Sequence, residues 1–272
     1  MTSVWDAAWY TLSPIYQPLL EAAHSLGTAR ESWPDLDDYN RLLQSAAVPV
    51  LTHSGKPVHC VPQADDNYEQ RTYLTGEVQT RSHNWHDLFN TLVWRVFPRT
   101  KAAVNLMHYR TSQGKLQPTV GRGTARDVLT LFDESGVVIA CAQDELGRML
   151  RQHQWKSLFW QRRSEVSVNM KFIVFGHSLY EKALRPYIGL TGKALILPVA
   201  PGFLTLPLAR QLAETDAMMA EHLLGPDSLQ TTSSLSPLPL LGVPDWWPDN
   251  NHEIFYENTR YFRPAPTGKN SG

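Results

Sequence analysis

Two cysteines in 272 residues are too few for a disulfide framework or for a zinc site built mainly from thiolates. Cys60 and Cys141 lie far apart, in no CxxC spacing, so two buried, reduced thiols are expected. The first residues, MTSVWDAAWYTLSP, have neither a basic n-region nor a continuous apolar h-region, and no secretory signal is expected. The most apolar run, Ala194 to Ala209, is interrupted by Pro198, Pro201 and Pro207 and is too short for a span. A formal net charge of -1 excludes a surface that coats nucleic acid or acidic lipid over its whole extent. There is no internal repeat, no GxSxG elbow, no GxGxxG after a strand and no HExxH. A cytoplasmic, soluble protein with no membrane partner is the expectation.

The chain is not short of core material. With 42% hydrophobic and 10% aromatic residues, it can fold throughout. Leu36, Tyr39, Leu42 and Leu43 recur at helical spacing from Asp35 to about Ala47. Trp85, Leu88, Phe89, Leu92, Val93 and Val96 do the same up to Pro98, and a third helix is expected over about Thr100 to Tyr109. Val128–Phe132, the turn-like Asp133-Glu134-Ser135-Gly136 and Val137–Cys141 read as a β-hairpin. A helix is expected from Asp144 to about Trp160, and Met170–Phe175 reads as a strand running into a helix at His177. Another strand follows at Lys193–Val199, then a helix at Leu206–Leu224 and a segment docked as a strand or extended arm at Ile254–Phe262. The expected fold is therefore α+β: one helix-rich domain over residues 1–264, with a central β-hairpin, a small mixed sheet and a frayed tail at 265–272.

Chemistry-bearing residues concentrate on the second and third helices. His86 and Asn90 stand four apart and share a face, with Asp87 beside them; Lys101, Asn105 and His108 share a face on the next helix. The short Pro98-Arg99 link turns the two faces toward one crevice, an acid–base set that also admits a divalent metal. His177, at a strand-to-helix junction, extends this to a His86, His108, His177 metal set. Ser178 and Glu181 match a capping box, which accounts for them without function. From Arg95 to Arg126 there are seven cations (Arg95, Arg99, Lys101, Arg110, Lys115, Arg122 and Arg126) and no Asp or Glu. Arg99, Lys101, Lys115, Arg122 and Arg126 are thus candidate contacts to a small anion or to nucleic acid. A solvated loop balanced by the acids downstream is the competing explanation.

The runs NWHDLFNTLVWRVFPRTKAAVN, RDVLTLFDESG, FGHSLYEKAL, PYIGLTGKAL and YFRP resemble a bacterial family, domain-of-unknown-function family 3025. The likeness extends from about Tyr68 to Pro264, with Gln79 standing where the pattern has proline. It implies one domain and no particular reaction. Asp87–Asn90 with Asn105 and His108 also resembles the His-Asn-His nucleases, although His86 falls on the helix instead of a preceding strand. The leading expectation is an enzyme acting on an anionic, phosphate-bearing substrate by hydrolytic or phosphoryl chemistry. His86, Asp87, Asn90, Asn105 and His108 are its candidate catalytic residues, and Arg99, Lys101, Lys115, Arg122, Arg126 and His177 its binding residues. A non-catalytic nucleic-acid- or protein-binding module using residues 95–126, a metal-dependent nuclease and a structural adaptor are the alternatives.

Overall fold

The computed structural model describes residues 4–27, 30–64, 68–113, 125–225 and 234–265. The first half is helical: α1 (Leu20–Leu26), α2 (Leu36–Gln44), α3 (Tyr68–Thr75), α4 (Trp85–Val96), α5 (Pro98–Ser112) and α6 (Ala125–Ser135). Two short strands, β1 (His59–Pro62) and β2 (Glu77–Thr80), flank α3 and pair in parallel, with His59 opposite Glu77. The second half alternates β3 (Gly136–Cys141), α7 (Asp144–Arg151), α8 (Arg163–Asn169), β4 (Met170–Val174), α9 (His177–Ala183), β5 (Thr191–Pro198), α10 (Leu208–Leu224) and β6 (Ser236–Pro239). The fold is α+β, as the alternation of patterns suggested.

The larger sheet has the order β4-β3-β5-β6. Its β3–β5 pair is parallel, while β3–β4 and β5–β6 are antiparallel. Every residue of β3 is buried. That explains its unbroken apolar run, since a strand covered on both faces has no polar side to show. Asp35 and Asp38 form a capping box that starts α2, and Asn84 caps α4 by accepting from Asp87 N at 3.0 Å. The start of α5 is capped from elsewhere. Asp216 of α10 accepts from the backbone N–H groups of Arg99 and Thr100 at 3.0 and 2.8 Å, and from the Thr100 hydroxyl at 2.7 Å.

Three expectations need correction. Residues 128–132 are not a strand of a hairpin: they belong to α6, with Val128, Leu129 and Phe132 buried and Arg126, Asp127 and Thr130 exposed. A helix with one apolar stripe wins here because β3 finds its partners in β4 and β5, not in the segment before it. The helix expected to reach Trp160 stops at Arg151. His153 takes the left-handed conformation (φ 55°), and a π-helical turn at Ser157–Gln161 follows. Ile254–Phe262 packs as a 3-10 turn (Glu253–Glu257) and a bend instead of a strand.

Other readings hold. Cys60 and Cys141 are free and buried. Among the described residues no helix is long and apolar enough to cross a membrane. The tail beyond Ala265 lies outside the described residues.

The seam between two chain junctions sets up the site. Gly136 O accepts from both Phe175 N and Gly176 N, at 3.0 and 2.8 Å. This holds the end of α6 against the start of α9. A Cβ on Gly176 would stand 2.5 Å from the backbone nitrogens of Ser135 and Gly136 and 2.6 Å from the Glu134 carbonyl carbon. Only glycine allows so close an approach. The consequence is positional: Glu134, near the end of α6, is brought beside His177 and Ser178, at the beginning of α9.

Candidate metal centre

A polar cavity of about 520 Å³ opens where α3, α4, α5, α6 and α9 meet, lined by His86, Asn90, His108, His177, Asp133 and Glu134 among others. Of the residues read from the sequence as one crevice, His86, Asp87, Asn90, His108 and His177 line it. Asn105 sits behind the wall, 3% exposed, where its amide nitrogen donates to the Glu69 carbonyl and to Glu69 Oε2, both at 2.9 Å.

At one corner of the cavity three ligand-type groups converge. The Nε2 atoms of His86 and His177 face each other at 3.0 Å, and Glu134 Oε1 lies 3.9 and 3.6 Å from them. Two imidazole lone pairs cannot point at each other bare, so a proton or a metal ion must lie between them. One atom from each of the three residues lies within 4.8 Å of the others. Ligands on one zinc-like ion, with bonds of about 2.0–2.1 Å to nitrogen, stand roughly 3–3.4 Å apart. The corner is close to that spacing as it stands.

Each ligand has a group behind it. His86 Nδ1 donates to Glu181 Oε2 at 3.1 Å, and the Ser178 hydroxyl donates to Glu134 Oε2. The His177 Nδ1 side faces Asp133 Oδ2 at 3.8 Å, and that nitrogen has no hydrogen-bond partner of its own. Asp133 is in turn held by the buried Lys101 ammonium, at 2.6 and 2.9 Å. Carboxylates on the Nδ1 sides leave both Nε2 atoms free to bind, the arrangement that metal-bound histidines typically have.

The electrostatics differ between the two rings. The hydrogen bond that His86 donates to Glu181 raises the His86 pKa above its ordinary value despite burial, and the same bond lowers that of Glu181. Burial pushes His177 down to about 4, against the pull of Asp133. Burial alone would raise Asp133, but Lys101 and His177 together bring it below the usual carboxylate range. In the bare site His177 is therefore a neutral acceptor, and the proton between the rings belongs to His86.

The candidate binding residues scatter. Lys101 is 4% exposed, neutralised by Asp133 and placed 5.5 Å from the centre of the Trp94 ring, so its charge is not on offer to a ligand. Arg99 lines a separate, largely apolar groove with Pro18 and Leu212. Arg126 is exposed on α6, and Lys115 and Arg122 lie outside the described residues. Asp87 borders the cavity, but Arg81 occupies its carboxylate through Nε and Nη2, both at 2.8 Å.

Glu134, Asp133, Ser178 and Glu181 escaped the reading of the sequence. The first two were hidden in the supposed hairpin turn. The second two were absorbed by a capping-box match that is not realised, since the N-cap of α9 is Gly176, not Ser178, and no side chain caps the helix. As for the nuclease likeness, His86 sits on α4, and the strands before it, β1 and β2, run parallel.

Residues 57–266 match the family model described as "Protein of unknown function (DUF3025)". The chain belongs to this family. The match takes in every residue of the metal-type corner and its supports. No curated protein and no solved structure matches the chain.

Proposed function

We propose that this protein is a metal-dependent hydrolase in which His86, Glu134 and His177 hold one divalent transition-metal ion at the floor of the polar cavity. The observation that carries the reading is the convergence of two Nε2 atoms and a carboxylate oxygen, with carboxylates behind both rings. Two imidazoles and one carboxylate form a donor set that zinc hydrolases use, leaving positions open toward the cavity for water and substrate. Such an ion supplies Lewis acidity and makes a water nucleophilic at neutral pH.

The chain's own groups do the rest. Glu181 orients the His86 ring, Ser178 holds Glu134, and the Lys101–Asp133 pair backs His177. His108 lines the same cavity, and it would carry a proton between water and leaving group. Asn90 donates to the Tyr68 hydroxyl at 3.0 Å, and this leaves the hydroxyl proton free to hydrogen-bond a substrate oxygen. Because burial holds the Tyr68 pKa far above its ordinary value, the hydroxyl stays a donor.

The test begins with metal content. The purified protein, stripped with chelator and titrated with zinc, manganese and iron(II), should bind one ion per chain with micromolar or tighter affinity. Ester, amide and phosphoester substrates should then be screened with each loaded form. His177→Ala and Glu134→Gln should lose the ion while keeping the far-UV spectrum. Absence of binding, or binding unchanged in His177→Ala, overturns the centre. Turnover that needs iron(II) and dioxygen would replace hydrolysis by oxygen chemistry, which the same donor set also supports.

A further inference from the structure

Among the described residues, the cavity wall away from the metal-type corner has spare acceptors, and the cations near it are paired with carboxylates. Arg81 lines the cavity, but both arms of its guanidinium that bond are committed to Asp87. Lys101 is spent on Asp133. Glu69 also lines the cavity, and among the described residues it has no ion-pair partner. Its carboxylate accepts only from the Asn105 amide, at 2.9 Å.

On the same cavity, Asn90 is 8% exposed. Its amide nitrogen is used by Tyr68, and its carbonyl oxygen has no partner. The Asn105 carbonyl oxygen, 3% exposed behind the same wall, is also unpartnered. A buried acceptor is normally satisfied, so the Asn90 oxygen calls for a ligand group that donates, while Gln79 Nε2, buried and unpartnered on the same cavity, and the Tyr68 hydroxyl call for an accepting group elsewhere on that ligand. An ammonium is the natural match, having three donors and no acceptor.

The separation follows from α4. Asn90 is one turn beyond His86, which puts the two side chains roughly 5–6 Å apart at Cβ. We infer that the substrate carries a protonated amine, held by Glu69 and Asn90 about one helical turn from the group that reacts at His86, Glu134 and His177. The inference rests on the metal-centre reading and adds the substrate class: an aminoacyl or aminoalkyl compound is preferred over a phosphate ester.

Three metal-binding probes of matched length separate the two ideas: the hydroxamate of β-alanine (cationic end), of butyric acid (neutral end) and the monohydroxamate of succinic acid (anionic end). Each grips the zinc-loaded protein through the same group. The β-alanine compound should bind roughly tenfold or more tighter than the butyric one, the gain of a charge-assisted hydrogen bond. The succinic compound should be weakest. Glu69→Gln should bring the β-alanine compound to the affinity of the butyric one, with butyric hydroxamate and zinc affinities unchanged. Those two unchanged values also report that the variant is folded; if it is not, the probe series on the intact protein decides alone. Butyric hydroxamate binding with no preference among the three ends overturns the amine inference and keeps the metal centre. Tightest binding of the succinic compound overturns it in favour of an anionic substrate. Failure of all three to bind the zinc-loaded protein removes both readings.

Discussion

Replacing Lys101 by methionine isolates the energetics of the wall behind His177. The ammonium bonds both oxygens of Asp133 and is 4% exposed, while the Asp133 side chain is 16% exposed. Methionine retains most of the aliphatic stem, so the change removes the charge and its donors more than the packing. It leaves a largely buried carboxylate beside a neutral His177. Removing one partner of a buried pair costs about 3–5 kcal/mol, because the survivor keeps its desolvation penalty. Asp133 reaches the cavity and can take up a proton, which puts the expected loss at the low end, about 3 kcal/mol. At roughly 2–4 °C per kcal/mol for a domain of this size, the melting temperature should fall by about 6–12 °C.

Urea unfolding at neutral pH, followed by tryptophan fluorescence and by far-UV circular dichroism, measures the loss. A Lys101→Met, Asp133→Asn double variant should recover most of it, since the pair's burial roughly offsets its attraction. The pH dependence has a definite sign. In the wild type the Asp133 pKa is depressed, so its contribution is lost as pH falls through the folded-state value. In Lys101→Met burial prevails and the pKa is raised, so stability is lost as pH rises. The gap between the two proteins must therefore narrow toward acid. A loss below about 1 kcal/mol, or a gap that widens on acidification, refutes the account.

Zinc at about a hundred times its dissociation constant should add about 2.7 kcal/mol of stability, a rise of roughly 5–11 °C by calorimetry, and His177→Ala should show none of it. Gly176→Ala must push the α6–β3 and β4–α9 junctions apart. It should destabilise by about 1–3 kcal/mol and, by moving Glu134 away from His177, weaken zinc binding at least about tenfold in a titration. Asp216→Ala strips the cap from α5 and strands two backbone N–H groups, while the Thr100 hydroxyl keeps the Asp216 backbone carbonyl as acceptor. An unfolding loss of about 2–3 kcal/mol with unchanged zinc affinity is expected, since Asp216 lies outside the cavity.

What was legible from the sequence was what local periodicity encodes. The stripe Trp85, Leu88, Phe89, Leu92 built α4, and His86 and Asn90 on its margin do line the cavity, as does His108 from α5. The FGH junction did present His177. Asp133 and Glu134 were invisible for a physical reason: Val-Leu-Thr-Leu-Phe followed by Asp-Glu-Ser-Gly satisfies strand and turn preferences, and only the partners of β3 decide for a helix. Lys101 read as a free cation because its counter-charge is 32 positions away. Ser178 and Glu181 satisfied a local capping rule, but tertiary partners claimed both side chains. The parallel β1–β2 pair went unseen because its strands are only four residues each, too short for a period to stand out.

These misses share a cause that also bears on function. Apart from the β1–β2 pair, each involves a carboxylate or its partner drawn toward the seam between Gly136 and Gly176, where no single segment contains enough of the pattern to reveal it. A histidine pair kept only for stability would be expected to satisfy all four ring nitrogens. Here His177 Nδ1 has no hydrogen bond although the residue is 4% exposed, and the two Nε2 atoms meet head-on with Glu134 beside them. Burial drives His177 toward neutrality while Glu181 draws a proton onto His86. One shared proton can hold the two rings together, and a divalent ion in its place would satisfy both rings and Glu134 at once. Stability alone gives no reason for the fold to retain so poorly satisfied a corner at the floor of an open polar cavity; the proposed ion would.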